Sequence, residues 1–242
     1  MENAIVLKPE ILGFFQNIPI TNSLFTSWLV MATLICISLA IRLKVNIIPS
    51  YLQSVFEVII DFMYDTALQL AGEKKAKVFF PFVATFFFFI LFSNLLGLLP
   101  GFATITFKGV PFLRSMNSDL NMTLGLALFS AFITHVFALR YLGLVGYLKK
   151  WFTLNPIFLF VGLLELVGEV TKIVSLSFRL FGNIFAGEVV LSTVSSIFAF
   201  IVPLPFYFLE IIVGFVQAAV FMMLTLVFMV ILSEKHEAVE HS

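Results

Sequence analysis

The chain has 242 residues, 61% of them hydrophobic and 12% charged, with 14 basic and 14 acidic side chains that cancel. Soluble domains carry about 25% charged residues, so this composition excludes a water-soluble globule and points to an integral membrane protein. The absence of a basic run or an acidic tail excludes an electrostatic nucleic-acid binder.

The opening segment, MENAIVLKPEILGFF, has no basic n-region and does not read as a cleaved signal or transit peptide. One membrane domain spanning residues 1–242 is expected, all-α and polytopic, with about five to six helices. A bilayer crossing takes about 20 apolar residues. The first lies in the uncharged run from Ile11 to Ile41, with the span itself expected near residues 27–43. Cys36 lies in this run and has no second cysteine to pair with.

The next segment, SVFEVIIDFMYDTALQLAG, places Glu57, Asp61 and Asp65 four residues apart, on one helix face among apolar neighbours. It reads as an interfacial helix over about 54–71, ended by Gly72. Further spans are expected near 78–100, 120–140, 156–200 and 206–233. The stretch from Pro156 is too long for one upright span. The 32 phenylalanines read as lipid contact rather than as a cofactor box.

Basic residues set the orientation. Arg42, Lys44, Lys74, Lys75, Lys77, Arg140, Lys149, Lys150 and Lys235 fall on one side, and Lys8, Lys108 and Arg114 on the other. With five spans, the N-terminus is expected outside and the C-terminus in the cytoplasm or its equivalent.

Charges at membrane depth are costly and mark functional positions. The fourth stretch holds Glu165, Glu169, Lys172, Arg179 and Glu188; the fifth holds Glu210 and Gln217; the third holds His135. At ~100° per residue, Ser175, Arg179 and Asn183 share a stripe, with Lys172 on a similar face. Glu188 lies about 180° away and ~13 Å along the axis, so it cannot pair with Arg179 in a straight helix. Glu210, Gly214 and Gln217 form a stripe expected to face the Arg179 helix. Gly182, Gly187 and Gly214 are expected to allow close helix approach.

Simpler roles compete for some of these residues. Glu169 and Lys172 have the spacing of a local ion pair. His135 is near a span end and reads as interfacial, with a proton relay as the competing role. Arg179 does not fit such a role, because it is charged at any working pH and has no acid at helical contact spacing. No His or Cys spacing suits a metal, so no metal or cofactor is expected. No phosphate-binding loop, dinucleotide fingerprint or nucleophile elbow is present, which excludes direct nucleotide binding by any readable motif. A fixed cation, titratable carboxylates and amides are the parts of an ion path. A stand-alone secondary transporter or channel is the competing reading, but the paired repeats common in such proteins are not evident. A passive scaffold would leave Arg179 unexplained.

At these residues the chain resembles the subunit a family of the F-type ATP synthase membrane sector. The segment SLSFRLFGNIFAGE is similar to the family's arginine motif, and FVQAAVFMMLTLVF to its last helix. NLLGLLPG and SDLNMTLGLAL also match, so the resemblance covers nearly the whole chain. The resemblance implies a proton-channel stator, not catalytic alone, with two aqueous half-channels serving a rotating c-ring. It implies a membrane-embedded pair of long tilted helices at the C-terminus. It makes Arg179 the stator arginine facing the ring carboxylate, with Asn183 and Gln217 beside it. Glu188 and Glu210 fall at outer half-channel positions, Ser175 at an inner one, and Asp119 and Glu165 at further polar positions. The implied partners are the c-ring, the subunit b peripheral stalk, membrane lipid and, indirectly, the soluble F1 head. Many relatives in the family, mitochondrial ones especially, carry histidine at position 188; glutamate at both Glu188 and Glu210 favours a bacterial inner membrane over a mitochondrial one. Glu169 has no counterpart in the family pattern.

Overall fold

The computed structural model describes residues 9–15, 18–43, 51–99, 106–107, 110–151, 156–197 and 201–234. The chain is all-α and polytopic, with five helices and two short hairpins among these residues. The helices are α1 (Asn22–Leu43), α2 (Tyr51–Gly97), α3 (Leu120–Trp151), α4 (Pro156–Ile197) and α5 (Pro203–Leu232). Four stretches are long and apolar enough to cross a membrane: Asn22–Leu43, Gln53–Gly97, Leu120–Leu148 and Pro203–Leu232. Without water, backbone groups in lipid must bond within the segment, and helices do this locally.

The first apolar run is divided in a way that periodicity did not reveal. Ile11–Phe15 (β1) pairs antiparallel with Ile18–Thr21 (β2) before α1 begins. The helix starts at Asn22, ahead of the expected 27, because local caps are available. Thr21 Oγ1 accepts the amide of Leu24 at 3.3 Å, and Asn22 Oδ1 accepts that of Ser23 at 2.9 Å. Such capping satisfies amides that the first turn leaves unpaired. A second hairpin pairs Thr106–Phe107 (β3) with Val110–Pro111 (β4).

Gly72 interrupts α2 with φ 70° and ψ 162°, a conformation open to glycine but not to side-chain-bearing residues. The segment carrying exposed Glu57, Asp61 and Asp65 is thereby set off from the apolar segment after it. Gly143 (φ 69°, ψ 166°) does the same in α3, which extends well beyond the expected 140 and bends back on itself. Pro156 and Pro203 open α4 and α5, where a missing N–H costs nothing.

The core joins α2, α3, α4 and α5 through Phe79, Phe87, Ile90, Leu180, Phe221 and Leu226. Helix α5 packs mainly on α2 and also touches α3 and α4. The two bundle ends are marked by polar contacts. At one, Lys75 donates to the Ser233 carbonyl at 3.3 Å and lies over the Tyr141 ring. At the other, Asn94 donates to the Gly214 carbonyl at 3.0 Å and accepts from Asn117 at 2.6 Å. Between α2 and α3 runs a short 3-10 turn, Met116–Ser118. Its residues and the flanking Ser115 and Asp119 are buried, so this polar loop is a plug in the bundle end.

Candidate functional site

Helix α4 presents its charged groups in axial order: Glu165, Glu169, Lys172, Arg179, Glu188. Arg179 is exposed, with exposed Ser175 one turn before and exposed Asn183 one turn after. Among the described residues it makes no hydrogen bond or ion pair, and its flank is apolar, with exposed Val174 and Phe178. Asn183 donates its amide to buried Gln217 Oε1 at 2.7 Å, which ties the Arg179 stripe to α5.

Glu188 and Glu210 meet at the plug end. Glu210 is buried, and its carboxylate sits where a Cβ on Gly187 would be. Gly187 is therefore a notch that admits this side chain against α4. Glu188 is half-buried and feels the Arg114 guanidinium, the Ser115 and Ser118 hydroxyls and the Glu210 carboxylate. Arg114 is itself held by Ser118, its Nε donating to Oγ at 3.3 Å. The loop is anchored to α1, where Thr26 Oγ1 accepts the Arg114 amide and Phe25 packs on Phe112 with centroids 4.4 Å apart. A cation, two hydroxyls and two carboxylates thus converge in one polar place ~13 Å along α4 from Arg179.

The notch gives a direct prediction. Gly187→Ala should force the Glu210 carboxyl from its place, as overpacking does at a cost of about 1–3 kcal/mol. Ion flux through membranes stripped of soluble subunits should fall about tenfold. The double variant Gly187→Ala/Glu210→Ala should conduct no worse than Glu210→Ala alone. Wild-type flux in Gly187→Ala would show that the notch does not matter.

One expectation changes here. Gly214 was expected to face the Arg179 helix, but it faces α2, where its Cβ position lies 3.1 Å from Asn94 Cβ. A stripe on α5 this wide touches two neighbours at once. Gly182 has open space beside it among the described residues, so its close approach is not used within them. Asp119 serves as the cap of α3, its Oδ1 accepting the Asn121 amide at 3.0 Å. Glu165 is partly exposed and ~21 Å along α4 from Arg179, so the structure does not bring the two together. Sequence reading missed the roles of Arg114, Ser115, Ser118 and Asn94. The polar run Arg-Ser-Met-Asn-Ser-Asp directly before an apolar span was the available signal.

At the other end, Lys172 Nζ donates to Glu169 Oε1 at 2.6 Å, the local pair its spacing suggests. The other Glu169 oxygen faces His135 Nε2 at 4.0 Å.

A polytopic α-bundle with an exposed cation that has no partner among the described residues, and with carboxylates on two neighbouring helices, defines an intramembrane ion-pathway subunit. Residues 24–230 match the family described as ATP synthase A chain, and this chain belongs to that family. It is similar to ATP synthase subunit a of Citrifermentans bemidjiense, 35% identical over 84% of this chain and 83% of the relative. It is also similar to that of Moorella thermoacetica, 34% identical over 92% of this chain and 95% of the relative. A third relative, from Propionigenium modestum, is named ATP synthase subunit a, sodium ion specific. It is 34% identical over 93% of this chain and 77% of its own length. The chain is a multi-pass membrane subunit of the F0 sector, and its role is that of the ion-channel stator.

Proposed function

We propose that this chain carries protons between two aqueous half-channels and a rotating ring of c subunits in a bacterial inner membrane. The single observation that supports this most is Arg179, an exposed cation on an apolar helix flank with no partner among the described residues. A guanidinium left in lipid is costly, so a carboxylate from outside this chain must face it. A passing ring of carboxylates fits that need. The 42 residues of α4 run ~63 Å, about twice a ~30 Å hydrocarbon core, so the helix lies obliquely and offers the ring a long flank.

A proton enters at the plug end, passes Glu188 and Glu210, and neutralises a ring carboxylate. The neutral group turns into lipid at low cost, whereas an ionised one does not. After nearly a full rotation it reaches the second half-channel and loses its proton. Arg179 favours this ionised state and, being always charged, relays no proton itself. The membrane potential supplies ~2.3 kcal/mol per charge per 100 mV. Subunit b and, through it, the soluble F1 head hold the chain against rotation. ATP chemistry takes place on that head.

The test is ATP synthesis in intact vesicles driven by a pH step without sodium. Synthesis there supports proton coupling, and a strict sodium requirement rejects it. Orientation has its own test. Lys77 and Gly97 are 20 residues apart on α2, or ~30 Å. Cysteines at Lys77 and Thr106 should react with an impermeant thiol reagent from opposite faces, Lys77 from the cytoplasm. Reaction of both from one face would overturn the topology.

A further inference from the structure

The end of the bundle opposite the plug carries a second titratable cluster that the stator mechanism does not use. Glu169 lies ten residues before Arg179 on α4, ~15 Å away and in the opposite direction from Glu188. It is buried, with its side chain 12% exposed. One oxygen accepts from Lys172 and the other faces the His135 imidazole. The second imidazole nitrogen, Nδ1, shares a hydrogen bond of 3.0 Å with the Tyr147 hydroxyl.

Tyr147 reaches His135, 12 residues earlier, because Gly143 turns the chain back. The rings of Tyr147 and Trp151 pack at 6.0 and 6.4 Å from that of His135. Trp151 is buried, and its backbone carbonyl occupies the space that a Cβ on Gly162 would need. Residues 143–151 thus form a pinned flap over His135. Beneath it, Ser130, Thr134, Glu169, Lys172 and Phe228 line a pocket between α3, α4 and α5. The Lys172 ammonium lies 4.6 Å from the Phe228 ring centroid. Among the described residues, the ionisable groups facing Glu169 are Lys172 from α4 and His135 and, behind it, Tyr147 from α3. Helix α5 adds an aromatic ring to the pocket lining. A local ion pair accounts for Lys172 and one carboxylate oxygen. It leaves unexplained an imidazole, backed by a phenol, aimed at the other.

We propose that Glu169, His135 and Tyr147 form the proton exit of this chain, leading from the Ser175–Arg179 stripe to the bundle end, with Lys172 as a positioning residue. This rests on the stator reading above. A proton leaving a ring carboxylic acid through water binds Glu169 Oε2. It passes to His135 Nε2 as the two groups close their 4.0 Å gap. The imidazolium releases its Nδ1 proton to the Tyr147 oxygen, which loses its own hydroxyl proton to water at the bundle end. Tautomer exchange through water restores the starting imidazole. Lys172 holds the carboxylate in place and donates no proton to the path.

The experiment uses the whole ATP synthase, with passive proton flux read across a range of pH in vesicles stripped of the soluble head. Recovery of each variant with the complex reads assembly. Glu169→Gln should lower flux about tenfold or more, and Glu169→Asp should restore part of it. His135→Gln and Tyr147→Phe should each lower flux severalfold and alter its pH profile. Glu169→Gln/Lys172→Met leaves no lone buried charge, so it separates conduction from charge pairing. It should stay as slow as Glu169→Gln, and it carries the decision if the single variant does not assemble. Wild-type flux in the double variant would reduce the cluster to an ion pair and overturn the exit. Full flux with an unchanged pH profile in both His135→Gln and Tyr147→Phe would overturn the relay. Glu188→Leu and Arg179→Ala in the same vesicles test the underlying function. Normal flux in all variants would reject the stator reading, whereas changes confined to Glu188 and Arg179 would reject the exit alone.

Discussion

Replacing Arg179 by alanine should abolish ATP synthesis while the complex still assembles. Alanine has the highest helix propensity, and among the described residues Arg179 makes no hydrogen bond or ion pair whose loss would unfold the chain. What is lost is the bias on the ring. A guanidinium beside a carboxylate lowers its pKa by about 1–3 units, so removing it cuts the ionised fraction at the release point about 10- to 1,000-fold. The barrier disappears as well. A neutral cavity lets a ring site exchange with both half-channels, so stripped vesicles should leak protons. Arg179→Lys keeps a charge but loses the planar fork and deprotonates more readily when desolvated, so it should also fail to support normal synthesis. Substantial synthesis in the alanine variant would defeat this account. Lost synthesis without a leak would leave the release role and remove the barrier role.

Glu188→Leu and Glu210→Leu should each slow proton flux about tenfold or more without blocking assembly. Both carboxylates lie at the plug end, and the Glu210 charge acts on Glu188. Two carboxylates in one polar cavity titrate as a pair, so flux should follow apparent constants that shift together when either is changed. Glu188→Gln isolates the charge from the shape of the side chain and should resemble Glu188→Leu. Normal ATP-driven pumping in both leucine variants would remove these residues from the path. Arg114→Ala, which removes the Arg114–Ser118 hydrogen bond within the loop, belongs in the same series as a probe of the plug.

Much of this was readable in the order of residues alone. Length and apolar content determined that the chain spans a membrane, because only a helix satisfies its own backbone across some 30 Å of hydrocarbon. Helical period set Ser175, Arg179 and Asn183 on one stripe and Glu188 on nearly the opposite face. In the structure the first three are exposed and Glu188 is half-buried. Spacing also foretold the Glu169–Lys172 pair, since both partners lie on one helix.

Contacts between distant segments were decided by packing. Nothing in the local pattern says that Glu210 enters the notch at Gly187, that Gly214 turns to Asn94, or that Asn183 meets Gln217. In the sequence Arg114 carried only an orientation signal, and burial of its loop made it a plug against Glu188. Tyr147 closes on His135 because one glycine reverses the backbone between them. A helix period reports which residues share a face. Which neighbour that face meets depends on side-chain volumes and notches summed over several helices, and that information is held in the tertiary structure.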